Sequence, residues 1–572
     1  MPSPLDHGFG RAVARAADRA AVPLAAGPDV EPVGVTHRVL ARRVKTLVAA
    51  YRCPDSALHG SAAAVAAALT HLRALRGVQT ASGLFAGGDN VQSPPDSAFT
   101  VNDVCDAHVL AAGSGPELRE VTAALAGIAR AAAGPLLTGG AHTPNHRWEL
   151  CAALARLHRS FPDGRLLDRV GEWLAEGVDI DAEGLYSERS AVYASHVSNP
   201  SLLLLADVLG RADLQDAVER HLATTLDLIR PDRTVETVHS RRQDQNHPFP
   251  LAPYLPHYRL LAIRTSRGDF ARAALLAAAD GIEDCDLLAQ TLLTPDLCRV
   301  LPAPEPETLP RERYLTTARL ARHASATAHT VVYGGSDVPG HRRVRSGLAC
   351  NPTFLRLFAG DAVLDAVRLS RGFFDLGPFR AAEMRRLAAH RYRLTETVTA
   401  AYYQPLPKER RRDDGAYRLV DEGRFSAAMA FPDRPRDEIS HTTRVDVDLR
   451  DDGADLRIDI SGPPVPWALE LTFRPGGSFE GAVPIGDGRR CLTTGPATYR
   501  VGDDEIRVEA HVEAGEPLAG PDRSDVLRYD PGQDHTVVGG TDATTGNRVH
   551  LGGLGPHTLT LALRARRPAP AV

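Results

Sequence analysis

Apolar positions change their period part-way along the chain. From about residue 36 to 300 they recur at steps of three and four, as in THRVLARRVKTLVAAY, SAAAVAAALTHLRALRG, HRWELCAALARLHRSF and LQDAVERHLATTLDLI. That is the spacing of one helix face. Gly, Pro and Asp punctuate the segments, which predicts roughly nine to eleven helices of about 10–18 residues. Beyond about 310, apolar and polar residues alternate in HTVVYGG, AVLDAVRLS, YRLTETVTAAYY, TRVDVDLRDDGADLRIDISG and WALELTFRPGG. Period two with DDG, RPGG and GDG between segments is the pattern of strands and turns.

The two periods predict a multidomain α + β chain. Residues 1–300 form an N-terminal (α/α) helical toroid, 301–312 a linker around the Pro-rich LPAPEPETLP, and 313–572 a large antiparallel β-sandwich. The charged PLPKERRRDDG stretch (405–415) reads as a solvated loop, because no aromatic residues interleave with its charges. The sequence shows no internal repeat; stacked helical hairpins need none.

Composition narrows the function. Lys and Arg number 66 against 71 Asp and Glu, a net charge of −5. A chain built to neutralise phosphates needs a basic excess, so nucleic acid is excluded as the expected partner. Seven cysteines are scattered without a CxxC pair, which argues against a disulfide framework or a cysteine zinc site. No apolar run reaches bilayer length. Arg and Asp interrupt the N-terminal stretch, so no signal peptide is visible. The expectation is a cytoplasmic protein without a membrane partner.

Polar chemistry concentrates in four places. The first is Gly88–Phe99, where Asp96 or Ser97 is expected to cap the next helix and Asn90 to face a ligand. The second is Gly139–Glu149, which includes His142; Thr143-Pro144 starts a helix with Asn145, His146 and Arg147 in its first turn, whose free amides favour an anion. The third runs from Asp181 to Asn199 and holds Tyr186, Glu188, Tyr193, His196 and Asn199. The fourth holds Arg241, Arg242, Gln243, Asp244 and His247, followed by Tyr258; guanidinium forks there suit carboxylates. No phosphate loop, HExxH or GxSxG stands in a supporting context.

A helical half followed by a β-sandwich resembles the heparinase II/III-like and alginate-lyase-like polysaccharide lyases, which pair an (α/α) toroid with antiparallel sheets. Asn145-His146 looks like the element by which those lyases neutralise a uronate. Glu183-Gly184-Leu185-Tyr186-Ser187-Glu188-Arg189-Ser190-Ala191-Val192-Tyr193 is similar to their DGSFxExSxxY pattern, which ends in the catalytic Tyr. The family's GHxHxD-like stretch has its counterpart in 345–360, where the histidines are missing and His341 lies just upstream.

The resemblance implies a lyase that cleaves a uronate-containing oligo- or polysaccharide by β-elimination. Neutralising the substrate carboxylate acidifies the C5 proton, a task for Asn145, His146 and Arg241 or Arg242. Tyr193 with His196 or His247 serves as base and acid. The expected catalytic set is Tyr193, His146, Asn145, His196 and His247. The expected binding set is Asn90, Arg147, Trp148, Tyr186, Glu188, Asn199, Arg241, Arg242, Gln243, Asp244 and Tyr258. This logic needs no cofactor, while a structural divalent metal and a homodimer are compatible with it. Two alternatives stay open. A uronate-specific hydrolase of toroid fold would use two carboxyls from Asp89, Asp96, Glu149, Glu188 and Asp244; a non-catalytic carbohydrate-binding protein would use none.

Overall fold

The computed structural model describes residues 4–27, 32–88, 90–523, 525–532 and 544–567. The chain forms two compact units: Met1–Leu226 with Pro250–Glu307, and Asp227–Phe249 with Thr308–Val572. The segment 227–249, expected inside the helical half, thus groups with the strands. Ion pairs explain why: Glu236 meets Arg356, Asp227 meets Arg311 and Asp232 meets Arg474.

In the helical unit, α1 (His7–Ala26), α2 (His37–Arg52), α3 (Ala62–Gly77), α4 (Pro94–Ala111), α5 (Arg119–Thr138), α6 (Pro144–Ser160) and α7 (Gly164–Leu174) precede a single turn, α8 (Ala191–Tyr193). Then come α9 (Asn199–Leu209), α10 (Ala212–Leu226), α11 (Leu255–Thr265), α12 (Gly268–Ala277) and α13 (Leu287–Leu293). The periodic segments from 36 onward are helical. Helix α1 lies outside that stretch, yet Asp6 caps it and Phe9, Val13, Ala17 and Ala21 are buried along it. The cap of α4 is Ser93, one residue before Pro94 and Pro95, rather than Asp96 or Ser97. Proline lacks an amide to cap and fits the first turn, so the helix begins as soon as Ser93 allows. Pro116–Thr138, which includes α5, is long and apolar enough by composition to span a bilayer; Val121, Leu125, Ile128, Ala132 and Leu136 are buried along it.

The β unit packs two sheets on one core. In the first, nine strands run in the order Val483–Gly486, Arg489–Cys491, Asn547–Leu554, Pro466–Phe473, Ala362–Arg371, Leu355–Ala359, His329–Tyr333, Leu320–Ala324 and Arg311–Leu315. The second has eight strands, from Ser478–Glu480 to Glu383–Ala388, including the long hairpin Arg436–Arg450 and Gly453–Ser461. Pairing is antiparallel except between Arg489–Cys491 and Asn547–Leu554, which run parallel. Alternate residues build the core: Leu469 and Leu471 from one sheet, Val445, Val447, Leu561 and Leu563 from the other. Burying each such side chain contributes about 1.5–3 kcal/mol. The intervening positions carry charge, so Glu470 stands in register with Arg368 on one side and His550 on the other.

Candidate active site

The second and third polar stretches meet in the helical unit. Pro144 opens α6, leaving Asn145 in its first turn. The Asn145 amide nitrogen donates to Glu188 Oε1 at 2.9 Å and Oε2 at 2.8 Å, and the backbone N–H of Asn145 donates to Oε2 at 3.2 Å. Thr143 Oγ1 accepts a further, weaker bond from Asn145 Nδ2 at 3.2 Å. Asn145 is fully buried.

Glu188 reaches this position because the preceding turn is tightly fixed. Asp181 Oδ1 accepts from the amides of Glu183 and Leu185 at 3.0 and 2.9 Å. Gly184 has φ +88°, and a Cβ there would lie 2.6 Å from the Arg220 carbonyl oxygen. Only glycine combines that φ with so close an approach. His221 Nδ1 lies 3.0 Å from the Gly184 carbonyl, which ties the turn to α10. Arg189 follows Glu188 at φ +51°, a left-handed conformation uncommon outside glycine that marks sites held by their surroundings. Ser190 then caps α8 by accepting from the amide of Tyr193 at 3.2 Å. A π-turn, Ala194–Ser198, leads into α9 and packs against α6; such turns recur at functional sites.

Tyr193 is half-buried and His196 exposed. The Tyr186 hydroxyl donates to Asn199 Oδ1 at 3.0 Å, and burial raises its pKa well above the ordinary value, so it stays protonated. Burial holds His221 down at about 4 and His257 at about 3, which makes both neutral supports. A row of contacts reaches His146. Asn90 donates to Asp96 Oδ2 through its backbone (2.8 Å) and side-chain (3.2 Å) nitrogens, and Asp96 pairs with Arg38. Arg38 lies 4.1 Å over the Phe99 ring, Phe99 meets the His146 ring edge-on at 6.4 Å, and His142 meets it at 4.6 Å. Arg38, Phe99 and His142 are not in the expected catalytic or binding sets; contact with His146 brings them in, and the one-dimensional pattern carries no mark of it.

Several residues expected at the substrate are buried or already paired in this structure. Trp148 is fully buried and donates to Asp179 at 2.9 Å. Arg147 is held by Glu176 at 2.7 Å and Asp179 at 3.3 Å. Tyr258 is fully buried with its hydroxyl on the Leu222 carbonyl at 3.0 Å. Asn199 is buried as well, engaged by Tyr186. On a helix the next residue turns away by about 100°, so Trp148 points into the core although it follows a polar start.

Arg241, Arg242, Gln243, Asp244 and His247 lie in the β unit. The Arg241 fork closes on Asp337 at 2.8 and 2.9 Å. Ser240 donates to Asp244, while Gln243 and His247 are exposed. Gln245 accepts from the amide of Cys350 at 2.7 Å, and its carbonyl accepts from Asn351 at 2.7 Å. The fourth polar stretch therefore sits on the 345–360 segment, an association that the sequence pattern does not carry. His341 is exposed, its amide on the Asp337 carbonyl at 3.2 Å.

Among the candidate carboxyls, burial pushes Glu149 up to about 7, although Asn102 donates to it at 2.6 Å and Arg156 lies near. Asp89 lies outside the described residues. Among the described residues, no group of three or more His, Cys, Asp and Glu side chains is placed to hold a metal ion.

No protein-family model matches the chain, and no curated protein matches it in sequence. Solved structures do. Heparinase III superposes with a TM-score of 0.56 at 10% identity, over 94% of this chain and 79% of its own. A chondroitin AC lyase variant of Streptomyces coelicolor A3 gives 0.51 at 13% identity, over 97% of this chain and 80% of its own. A Paenibacillus xanthan lyase gives 0.51 at 11% identity, over 97% of this chain and 56% of its own, so the chain spans little more than half of that protein. The chain has the fold of these polysaccharide lyases, a helical toroid followed by a large antiparallel β-sandwich.

Proposed function

We propose that the protein is a polysaccharide lyase that cleaves a uronic-acid-containing glycan by β-elimination, using the helical-unit residues around Asn145 and Tyr193. The observation that carries this reading is the Asn145–Glu188 contact, which joins the two stretches that resemble lyase motifs within a fold shared with lyases.

The C5 proton of a uronate becomes removable when its carboxylate is neutralised by fixed donors. Glu188 takes one side of the Asn145 amide and fixes its plane. The remaining N–H rests on Thr143 at 3.2 Å, the longer bond and the one a substrate carboxylate replaces. His146, at the end of the row from Asn90, supplies a second polar group at the same helix start. Tyr193, half-buried behind its Ser190 cap, takes the C5 proton and returns it to the leaving oxygen, with exposed His196 three residues on as its proton partner. No step of this chemistry requires a metal.

One observation favours a second reading, glycoside hydrolysis: Glu149 has a pKa near 7, which suits a general acid. Its weakness is the second carboxyl, since Glu188 is engaged by Asn145 and Asp96 by Arg38 and Asn90.

Incubation with a panel of uronate glycans separates the readings. The lyase generates a conjugated 4,5-unsaturated end whose ultraviolet absorbance rises with each new reducing end. Reducing ends without that absorbance mean hydrolysis and overturn the proposal. Silence in both assays also overturns it, in favour of a binding protein.

A further inference from the structure

The β unit holds a cavity of about 390 Å³ lined by Arg489, Arg528, Arg548, Tyr529 and His550 together with two carboxylates, Glu470 and Asp487. That volume is near the small end of ligand sites, which run from about 300 to 1,000 Å³. Its wall is set by strand register. Arg489 pairs with Arg548, and Cys491 with His550, across the parallel strands. Val549 and Leu551 point into the core, so period two turns Arg548 and His550 to the opposite face.

Two arginines at one register position repel each other. Among the described residues Arg489 is met by Asp487, at 3.7 Å on an exposed turn. Arg528 and Arg548 form no ion pair among the described residues, and Arg548 Nε is buried without a hydrogen-bond partner. Glu470 does not neutralise them. Its carboxylate is already taken by Arg368, by Thr472 at 3.2 Å and by His550 Nε2 at 3.0 Å. A carboxylate only accepts, so Nε2 of His550 carries a proton toward Glu470. His550 is 1% exposed and its Nδ1 has no partner. The cavity thus offers guanidinium donors for an oxyanion and one buried, unpartnered imidazole nitrogen for a hydroxyl.

We propose that this cavity binds an acidic sugar unit, its carboxylate or sulfate on Arg489 and Arg548 and a ring hydroxyl hydrogen-bonded to His550 Nδ1. The site stands independently of the reaction proposed for the helical unit.

Calorimetric titration of the full chain at low salt tests it, with glucuronate, glucose and inorganic sulfate as probes. Glucuronate is expected to bind, glucose to give no heat, and sulfate to bind at least about tenfold more weakly because it lacks the hydroxyl. Arg548→Gln is expected to weaken glucuronate at least about tenfold, and Arg548→Lys to weaken it less. Arg489→Gln serves as the second variant where Arg548→Gln lowers the melting temperature. Absent heat with the wild-type chain, or the same affinity in both glutamine variants, overturns the site. Sulfate matching glucuronate overturns the sugar in favour of a free-anion site.

Discussion

Asn145 and Glu188, 43 residues apart, hold each other through two side-chain contacts of 2.9 and 2.8 Å in the buried start of α6. The pair fixes the orientation of an amide before any ligand arrives. Preorganised donors of this kind act where charge develops in a reaction.

Glu188→Gln tests the pair. Either rotamer puts an amide N–H against Asn145 Nδ2 or gives up one acceptor. The expected cost is about 1–3 kcal/mol in the unfolding of the helical unit, with kcat falling more than KM rises. A variant that unfolds earlier but keeps its kcat would reduce the pair to architecture.

Tyr193→Phe removes the hydroxyl proposed to carry the proton. The expected loss is at least about a hundredfold in kcat, with the melting temperature little changed because the ring is half-buried and preserved. Near-wild-type turnover would remove Tyr193 from the mechanism.

Glu149 predicts a pH dependence. Its folded pKa, raised by burial to about 7, lies above the unfolded value of 4.5. Between those values the folded state binds the extra proton, so stability falls as pH rises and the loss is complete above pH 7. The full swing is on the order of 3 kcal/mol. Glu149→Gln stays neutral throughout, so melting curves at pH 5 and pH 8 should separate further for the wild type than for the variant. Equal separation would mean that the carboxyl is ionised in the fold.

Trp148→Ala tests the scaffold assignment. A fully buried indole lost from α6 costs about 3–5 kcal/mol, whereas Trp148→Phe costs chiefly the bond to Asp179, about 1 kcal/mol. The folded Phe variant is expected to keep its kcat within a few-fold. A hundredfold loss without destabilisation would place the ring at the substrate.

Gly184→Ala puts a Cβ 2.6 Å from the Arg220 carbonyl at φ +88°. The turn carrying Glu188 must shift. The expected result is a loss of activity larger than the loss of stability, read by kcat beside thermal melting.

The local elements and their order are legible in the order of residues. Apolar steps of three and four specify α2 and α6, and alternation specifies the strands Arg436–Arg450 and Pro466–Phe473, because each period reflects the geometry of one short stretch of backbone. The turn signals and the Pro144 helix start are equally local. Helix α1 does carry one apolar face, but apart from Phe9 and Val13 that face is built of alanine, whose short side chain marks a buried position weakly. Tertiary structure alone decided the rest. Which face of α6 is buried separates Trp148 in the core from His146 beside Phe99. Ion pairs drew 227–249 away from the helices, and Gln245 found Cys350 and Asn351 about a hundred residues on. Asn145 and Glu188 were both visible in the sequence, but their contact was not. A contact over 43 residues depends on how the turn at Gly184 packs on α10, and no local period encodes that.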